Sequence, residues 1–248
     1  MEQRHALGLA EDLAQLAKIS DCVRTYSTEH GLDQVPALAA KAGLKVIQGI
    51  WLGSNRLKNL AQISSVVGLT KEYPGVISSV VVGNEVLLRG EMTASDLAAH
   101  IRSVKSQVTV PVTYADVWEF WLRHREVYEA VDFVTIHILP YWEGFSEAQA
   151  VDQAIIIYDK LRRAYPGKRI VIAEFGWPSA GYNLKSANPG RIEQADALIV
   201  GTPTYWGNMA GPLKVLFDRI VPVMMGETAK GMPLPRQKGK PAVIVTAC

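Results

Sequence analysis

Short β-branched runs alternate with amphipathic helical stripes along the whole of this chain, and that alternation restricts the folds open to it. The runs that read as strands are Asp21–Ser27, Lys45–Leu52, Ile77–Val86, Pro111–Val117, Val131–Pro140, Arg169–Pro178, Ala195–Tyr205 and Pro241–Cys248. Several are apolar without regular alternation, as in Val76-Ile77-Ser78-Ser79-Val80-Val81-Val82. A parallel strand buried on both faces has that pattern.

Helical stripes separate the runs. Leu9, Leu13 and Leu16 repeat at helical spacing, as do Leu97, Ile101 and Val104, and the second stripe opens on Thr93-Ala94-Ser95-Asp96, close to a capping box. Ser146 is expected to cap a helix with Val151, Ile155, Tyr158 and Leu161 inward, stopped by Pro166-Gly167. Pro212 suits the first turn of a helix carrying Leu213, Leu216, Phe217 and Ile220. Ser179–Gln194 reads as mostly loop, and the glycine- and proline-rich Met225–Lys240 as a protrusion.

Strand–helix–strand repetition demands parallel pairing through right-handed crossovers. Eight such strands in 248 residues point to a single α/β domain of the (β/α)8 barrel class, spanning 1–248. The order is permuted, since the chain begins on a helix and ends on a strand. Closure then requires Pro241–Cys248 to pair with Asp21–Ser27, with the Leu9/Leu13/Leu16 helix over that seam. The predicted strand order puts Cys22 and Cys248 at opposite ends of the barrel, too far apart for a disulfide.

In a barrel the catalytic side chains sit where strands end. The last strand positions supply Arg24, Tyr26, Trp51, Asn84, Glu85, Tyr114, Asp116, His137, Glu174 and Trp177. Two carboxylates on different strands among aromatic faces form the constellation glycoside hydrolysis needs: a protonated carboxyl for the leaving oxygen, and an ionised one for the sugar carbon. Burial and proximity would push their pKa values apart. The bland alternative for each residue is a solvated loop carboxylate or a core aromatic.

Other classes fare poorly. Lys plus Arg is 26 against 24 for Asp plus Glu, a net charge of +2 with no clustered basic face, which argues against a nucleic-acid partner. No apolar run reaches membrane-spanning length, and the opening Met1-Glu2-Gln3-Arg4-His5 is no signal peptide, so a cytoplasmic location is expected. His5, His30, His100, His124 and His137 share no metal-ligand spacing, so no metal is expected. Lys230, Arg236, Lys238 and Lys240 read as a solvated loop, and the dinucleotide glycine fingerprint is missing.

From about Glu11 to Gly181 the chain resembles glycoside hydrolase family 17, the β-1,3-glucanase family, in its bacterial branch. The motifs are Asp21-Cys-Val-Arg-Thr-Tyr-Ser27, Val81-Val-Gly-Asn-Glu-Val86, Pro111-Val-Thr-Tyr-Ala-Asp116, Thr135-Ile-His-Ile-Leu-Pro-Tyr-Trp142 and Ile172-Ala-Glu-Phe-Gly-Trp-Pro-Ser-Ala-Gly181. The resemblance implies Glu85 as general acid/base and Glu174 as nucleophile of a retaining mechanism. It further implies substrate contacts from Asn84, Tyr114, His137, Tyr141, Trp142 and Trp177, and a β-glucan oligosaccharide as partner.

The family's first strand has no counterpart upstream of the Leu9 helix, nor its last strand after Glu174. In their place Ala195–Cys248 resembles a flavodoxin-like NAD(P)H-quinone oxidoreductase, through Ala195–Met209, Gly211–Arg219 and Lys240–Cys248. In that family Thr202, Pro203, Thr204, Tyr205 and Trp206 would lie in the loop touching a flavin. The phosphate-cradling loop is missing, however, so neither FMN nor another cofactor is expected. The reading is an engineered chimera of a glucanase-like fragment, residues 1–190, and a flavodoxin-like fragment, 191–248. Weak or absent glucan hydrolysis or transglycosylation is expected of a monomer, with edge-mediated association if the seam stays open.

Overall fold

The computed structural model describes residues 2–175 and the strand segments 198–205, 208–209, 225–227, 233–235 and 242–247. The first part runs α1 (Glu2–Leu16), β1 (Cys22–Arg24), α2 (Val35–Ala42), β2 (Lys45–Ile50), α3 (Arg56–Glu72), β3 (Ile77–Asn84), α4 (Ala94–Lys105) and β4 (Val112–Val117). It continues through α5 (Trp118–Arg123), α6 (Arg125–Ala130), β5 (Val134–Ile138), α7 (Ala150–Ala164) and β6 (Ile170–Phe175). The remaining strands are β7 (Leu198–Tyr205), β8 (Asn208–Met209), β9 (Met225–Glu227), β10 (Pro233–Pro235) and β11 (Ala242–Ala247).

Each of the eight runs expected as strands contains one, trimmed at its ends. β1 to β6 pair in chain order and in parallel. β11 lies between β1 and β7, parallel to both, with Cys22 opposite Val243 and Ala242 opposite Leu198. The pairing expected between the last strand and the first is therefore present. β7 also lies against β6, with no hydrogen-bonded ladder between them among the described residues. β8 folds back antiparallel on the end of β7, and β9 and β10 form a small antiparallel pair within the expected protrusion.

Helix α4 shows how local chemistry places an element. The Thr93 hydroxyl accepts from the Asp96 amide at 3.1 Å and donates to its carboxylate at 2.7 Å, capping the helix. Leu97, Ile101 and Val104 are then fully buried, each worth roughly 1.5–3 kcal/mol of transfer free energy. They join one core with Val46, Val66, Val80, Val82, Val112, Ile136, Ile138 and Leu161. No helix among the described residues is long and apolar enough to cross a membrane.

Two local expectations need correction. Ser146 binds the Gln149 side chain ahead of a 3-10 turn at Glu147–Gln149, and Gln149 takes the N-cap position of α7 without a side-chain capping bond. The buried stripe of α7 is Ala150, Ile157 and Leu161, with Ala154 packed beside it. Val151 and Ile155 face outward, Ile155 56% exposed, because the helix carries two adjacent apolar stripes and the smaller residues let it approach the sheet. Helix α1 packs against α2. The stretch after β4, unassigned from the pattern, folds as α5 and α6. The loop expected at 179–194 and the helix expected from Pro212 lie outside the described residues, as does Cys248, while Cys22 is a free thiol.

Candidate active site

The C-terminal ends of β1, β3, β4, β5 and β6 gather polar side chains that the sequence spreads over some 150 residues (24 to 174). β3 is irregular where it delivers its carboxylate. Its register against β4 shifts between Val81 and Asn84, Gly83 has φ 87°, and Glu85 has φ 53°. A non-glycine residue in the left-handed region costs about 1–2 kcal/mol and persists only where its surroundings enforce it. Here the Glu85 amide donates to Ala115 O at 2.8 Å, and the Arg89 amide returns to Glu85 O at 2.9 Å. The Arg89 guanidinium also donates to the carbonyls of Asn84 and Leu52, pairs with Glu91 at 2.7 Å, and lies over the Trp51 ring.

The register of β5 against β6 shifts at its own end, bringing His137 opposite Glu174. His137 is fully buried between the two glutamates. Its Nδ1 is 2.9 Å from Glu85 Oε1, and its Nε2 is 3.3 Å from Glu174 Oε1, an ion-pair distance without hydrogen-bond geometry. The Tyr26 hydroxyl donates to Glu174 Oε1 at 2.6 Å. Arg24, also buried, donates through Nη2 to Asn84 Oδ1 at 2.8 Å and stacks over Tyr26, while its Nε and Nη1 have no hydrogen-bond partner among the described residues.

Burial pushes the Glu85 carboxyl up. The His137 hydrogen bond and charge, with Arg89 and Arg24, outweigh it, so Glu85 titrates below the ordinary glutamate range. Asp116 shows the opposite outcome. Burial raises it to about 6, against the opposing hydrogen bonds from Tyr114 and Val117. Tyr26 is raised well above the usual phenol value, first by burial and then by Glu174, so its hydroxyl keeps its proton and acts as a donor.

One atom each from Glu85, His137 and Glu174 lie within 4.8 Å of one another. Two carboxylates and an imidazole at that spacing are a donor set a divalent cation could use, and sequence spacing gave no sign of it, since the three residues come from different strands. The same spacing suits two carboxyl groups flanking a sugar carbon, close to the roughly 5–5.5 Å separation of retaining glycosidases.

The other expected site residues divide clearly. Asn84 is buried and engaged with Arg24. Tyr141 and Trp142 stand exposed beyond β5, Trp142 at 75%, their rings edge-to-face at 5.2 Å. Tyr114, expected to line the site, is buried beneath it with its hydroxyl engaged by Leu87 and Asp116. Trp177 and Trp206 lie outside the described residues, and Thr202, Pro203, Thr204 and Tyr205 are described only as backbone of β7. Sequence reasoning passed over Arg89, whose position beyond a strand end was its only signal.

Residues 4–215 match the family described as BtgE/BtgC glycoside hydrolase domain, and residues 189–248 match NADPH-dependent FMN reductase. The probable β-glucosidase btgE of Aspergillus fumigatus is 30% identical over 198 residues, covering 77% of this chain and 35% of that protein. The probable glucan endo-1,3-β-glucosidase btgC of Aspergillus terreus is 24% identical, covering 71% and 29%. The chain thus spans about a third of the length of the curated relatives it matches.

Among solved structures, the glycoside hydrolase family 17 β-1,3-glucanosyltransferase of Rhizomucor miehei aligns with a TM-score of 0.66 at 27% identity, covering 73% of this chain and 69% of that one. An active-site mutant of the Rhizomucor miehei β-1,3-glucanosyltransferase, in complex with laminaritriose, aligns at TM-score 0.69 and 22% identity over 98% and 81%. The strand-end carboxylates and the 4–215 match agree, and the chain belongs to the BtgE/BtgC glycoside hydrolase domain family.

Proposed function

We propose that the site performs retaining hydrolysis or transglycosylation of β-1,3-glucan, with Glu174 as nucleophile and Glu85 as general acid/base. The spacing of the two carboxylates around His137 carries this reading. Glu174 attacks the anomeric carbon while Glu85 gives its proton to the departing glycosidic oxygen. A water or a sugar hydroxyl then gives its proton back to Glu85 and releases the glycosyl group from Glu174. Glu85 is ionised in the free site, so proton uptake must accompany substrate binding. A sugar that desolvates Glu85 and parts it from His137 raises its pKa. Asn84 would contact the sugar next to the cleavage point, the buried His137 would orient the two glutamates, and Tyr141, Trp142 and Trp177 would offer flat faces to neighbouring rings.

The two family matches overlap at residues 189–215, which supports reading the chain as one domain joined from a glucanase-like piece and a flavodoxin-like piece near residue 190. On this reading β7 and β11 stand where the glucanase would place its last and first strands, and a permuted barrel results. Foreign strands beside the site would displace subsite walls, and a 1 Å displacement costs about a hundredfold in rate, so low activity is expected. No step above needs a cofactor, and flavin binding is disfavoured by the missing phosphate loop.

Incubation with laminarin tests this: reducing sugar should appear, the first product should be the β-anomer by NMR, and Glu174→Gln should abolish release. Initial formation of the α-anomer, or release that survives Glu174→Gln, would overturn it. A yellow colour on purification would instead favour the flavin reading.

A further inference from the structure

Glu85 sits on a turn that is costly to form, and β4 holds that turn twice. The first hold is backbone, from the Glu85 amide to Ala115 O. The second is a side chain: the Tyr114 hydroxyl accepts the Leu87 amide at 3.0 Å. A hydroxyl has one proton, and that of Tyr114 goes to Asp116 Oδ2. The other Asp116 oxygen accepts the Val117 amide at 2.7 Å, which orients the carboxylate. The Tyr114 ring also lies under Gly83, where a Cβ would come within 3.4 Å of its Cε2. Tyr114 therefore spans the turn from Gly83 to Leu87 with Glu85 between, and neither Tyr114 nor Asp116 is exposed to solvent.

We propose that Tyr114 and Asp116 are positioning residues that clamp the left-handed turn and hold the Glu85 carboxyl against His137. The proposal rests on the acid/base assignment of Glu85 above. Tyr114→Phe keeps the ring under Gly83 and removes the hydroxyl, so the Leu87 amide is left buried and unpaired, Asp116 loses its Tyr114 donor, and the turn loosens.

The experiment follows the Glu85 carboxyl by NMR titration in the whole protein and in Tyr114→Phe, with Glu85→Gln to assign the signal. The Glu85 midpoint should rise in Tyr114→Phe as the carboxyl drifts from His137. For unactivated laminari-oligosaccharides kcat should fall about tenfold at unchanged KM, whereas a dinitrophenyl β-glucoside, whose leaving group needs no proton, should keep its glycosylation rate. An unmoved midpoint, or an equal loss on both substrates, overturns the clamp. Failure of the acid/base assignment reads out separately, as full oligosaccharide activity in Glu85→Gln. The midpoint comparison then still decides whether Tyr114 holds the turn. Leu87 amide exchange, faster in Tyr114→Phe than in the parent at equal melting temperature, separates local loosening from global unfolding.

Discussion

The Tyr26 hydroxyl donates to Glu174 Oε1 across 2.6 Å, joining the end of the first strand to the end of the sixth. These strands are five places apart in the sheet order, so the contact crosses the mouth of a strongly curved sheet. On the proposed assignment of Glu174 as nucleophile, Tyr26 holds Oε1 and leaves the other oxygen to attack. Tyr26→Phe should let the carboxylate rotate, lowering kcat about tenfold with little change in KM. Steady-state kinetics on laminari-oligosaccharides checks this, and an unchanged kcat would remove Tyr26 from the machinery.

Two carboxyls at the site, Asp116 and Glu85, give opposite pH dependences of stability. Asp116 is raised by burial to about 6 in the folded protein from 3.8 when exposed, so the folded state binds its proton more tightly. Its contribution is most favourable at low pH and falls as pH rises from about 4 to about 6, by roughly 3 kcal/mol. Melting curves should show the parent losing ground to Asp116→Asn across that window and running parallel to it above. Glu85, held low despite burial by His137, Arg89 and Arg24, contributes stability that is present at neutral pH and lost only below the ordinary glutamate range. The parent should thus lose ground to Glu85→Gln only in strongly acidic solution.

The strands could be read from the sequence because the β-branched runs are too short for helices and are bounded by turn residues, and Glu85 and Glu174 stood out as candidates because each lies at the end of such a run. Two features were hidden, for different reasons. The buried face of α7 was ambiguous: stripes through Ala150 and through Val151 are both apolar, and only the packing distance to the sheet chooses the smaller residues. The role of Tyr114 depends on a register shift in β3 that tucks the Glu85 turn over β4, and register shifts leave no mark in hydrophobic periodicity. The meeting of Glu85, His137 and Glu174 depends on the same kind of local slip, in β5 against β6.

Gly83 should tolerate no side chain. Its φ is +87°, and a Cβ there would lie 2.8 Å from Val86 Cγ2, a buried neighbour with little room to move. Gly83→Ala combines left-handed strain with overpacking, about 3 kcal/mol together. A fall in melting temperature of roughly 5–10 °C follows. The Glu85 turn would shift with it, so activity measured well below the melting temperature should fall too. A variant as stable as the parent would mean that the bulge relaxes freely.

Trp142 presents the opposite case, a large apolar side chain whose exposure makes it dispensable for folding. Trp142 is 75% exposed, and its ring meets that of Tyr141 edge-to-face. Trp142→Ala removes little buried area, so the melting temperature should stay within about 2 °C. If the ring stacks against a sugar beyond the cleaved bond, its loss should raise KM for long laminari-oligosaccharides several-fold, by about 1 kcal/mol of stacking. A substrate too short to reach it should be unaffected. Transglycosylation should suffer more than hydrolysis, because an acceptor sugar must be held while water need not be. Comparing long and short substrates, with product ratios at high acceptor concentration, separates this from general damage. Equal losses on both chain lengths would place Trp142 outside the glucan path.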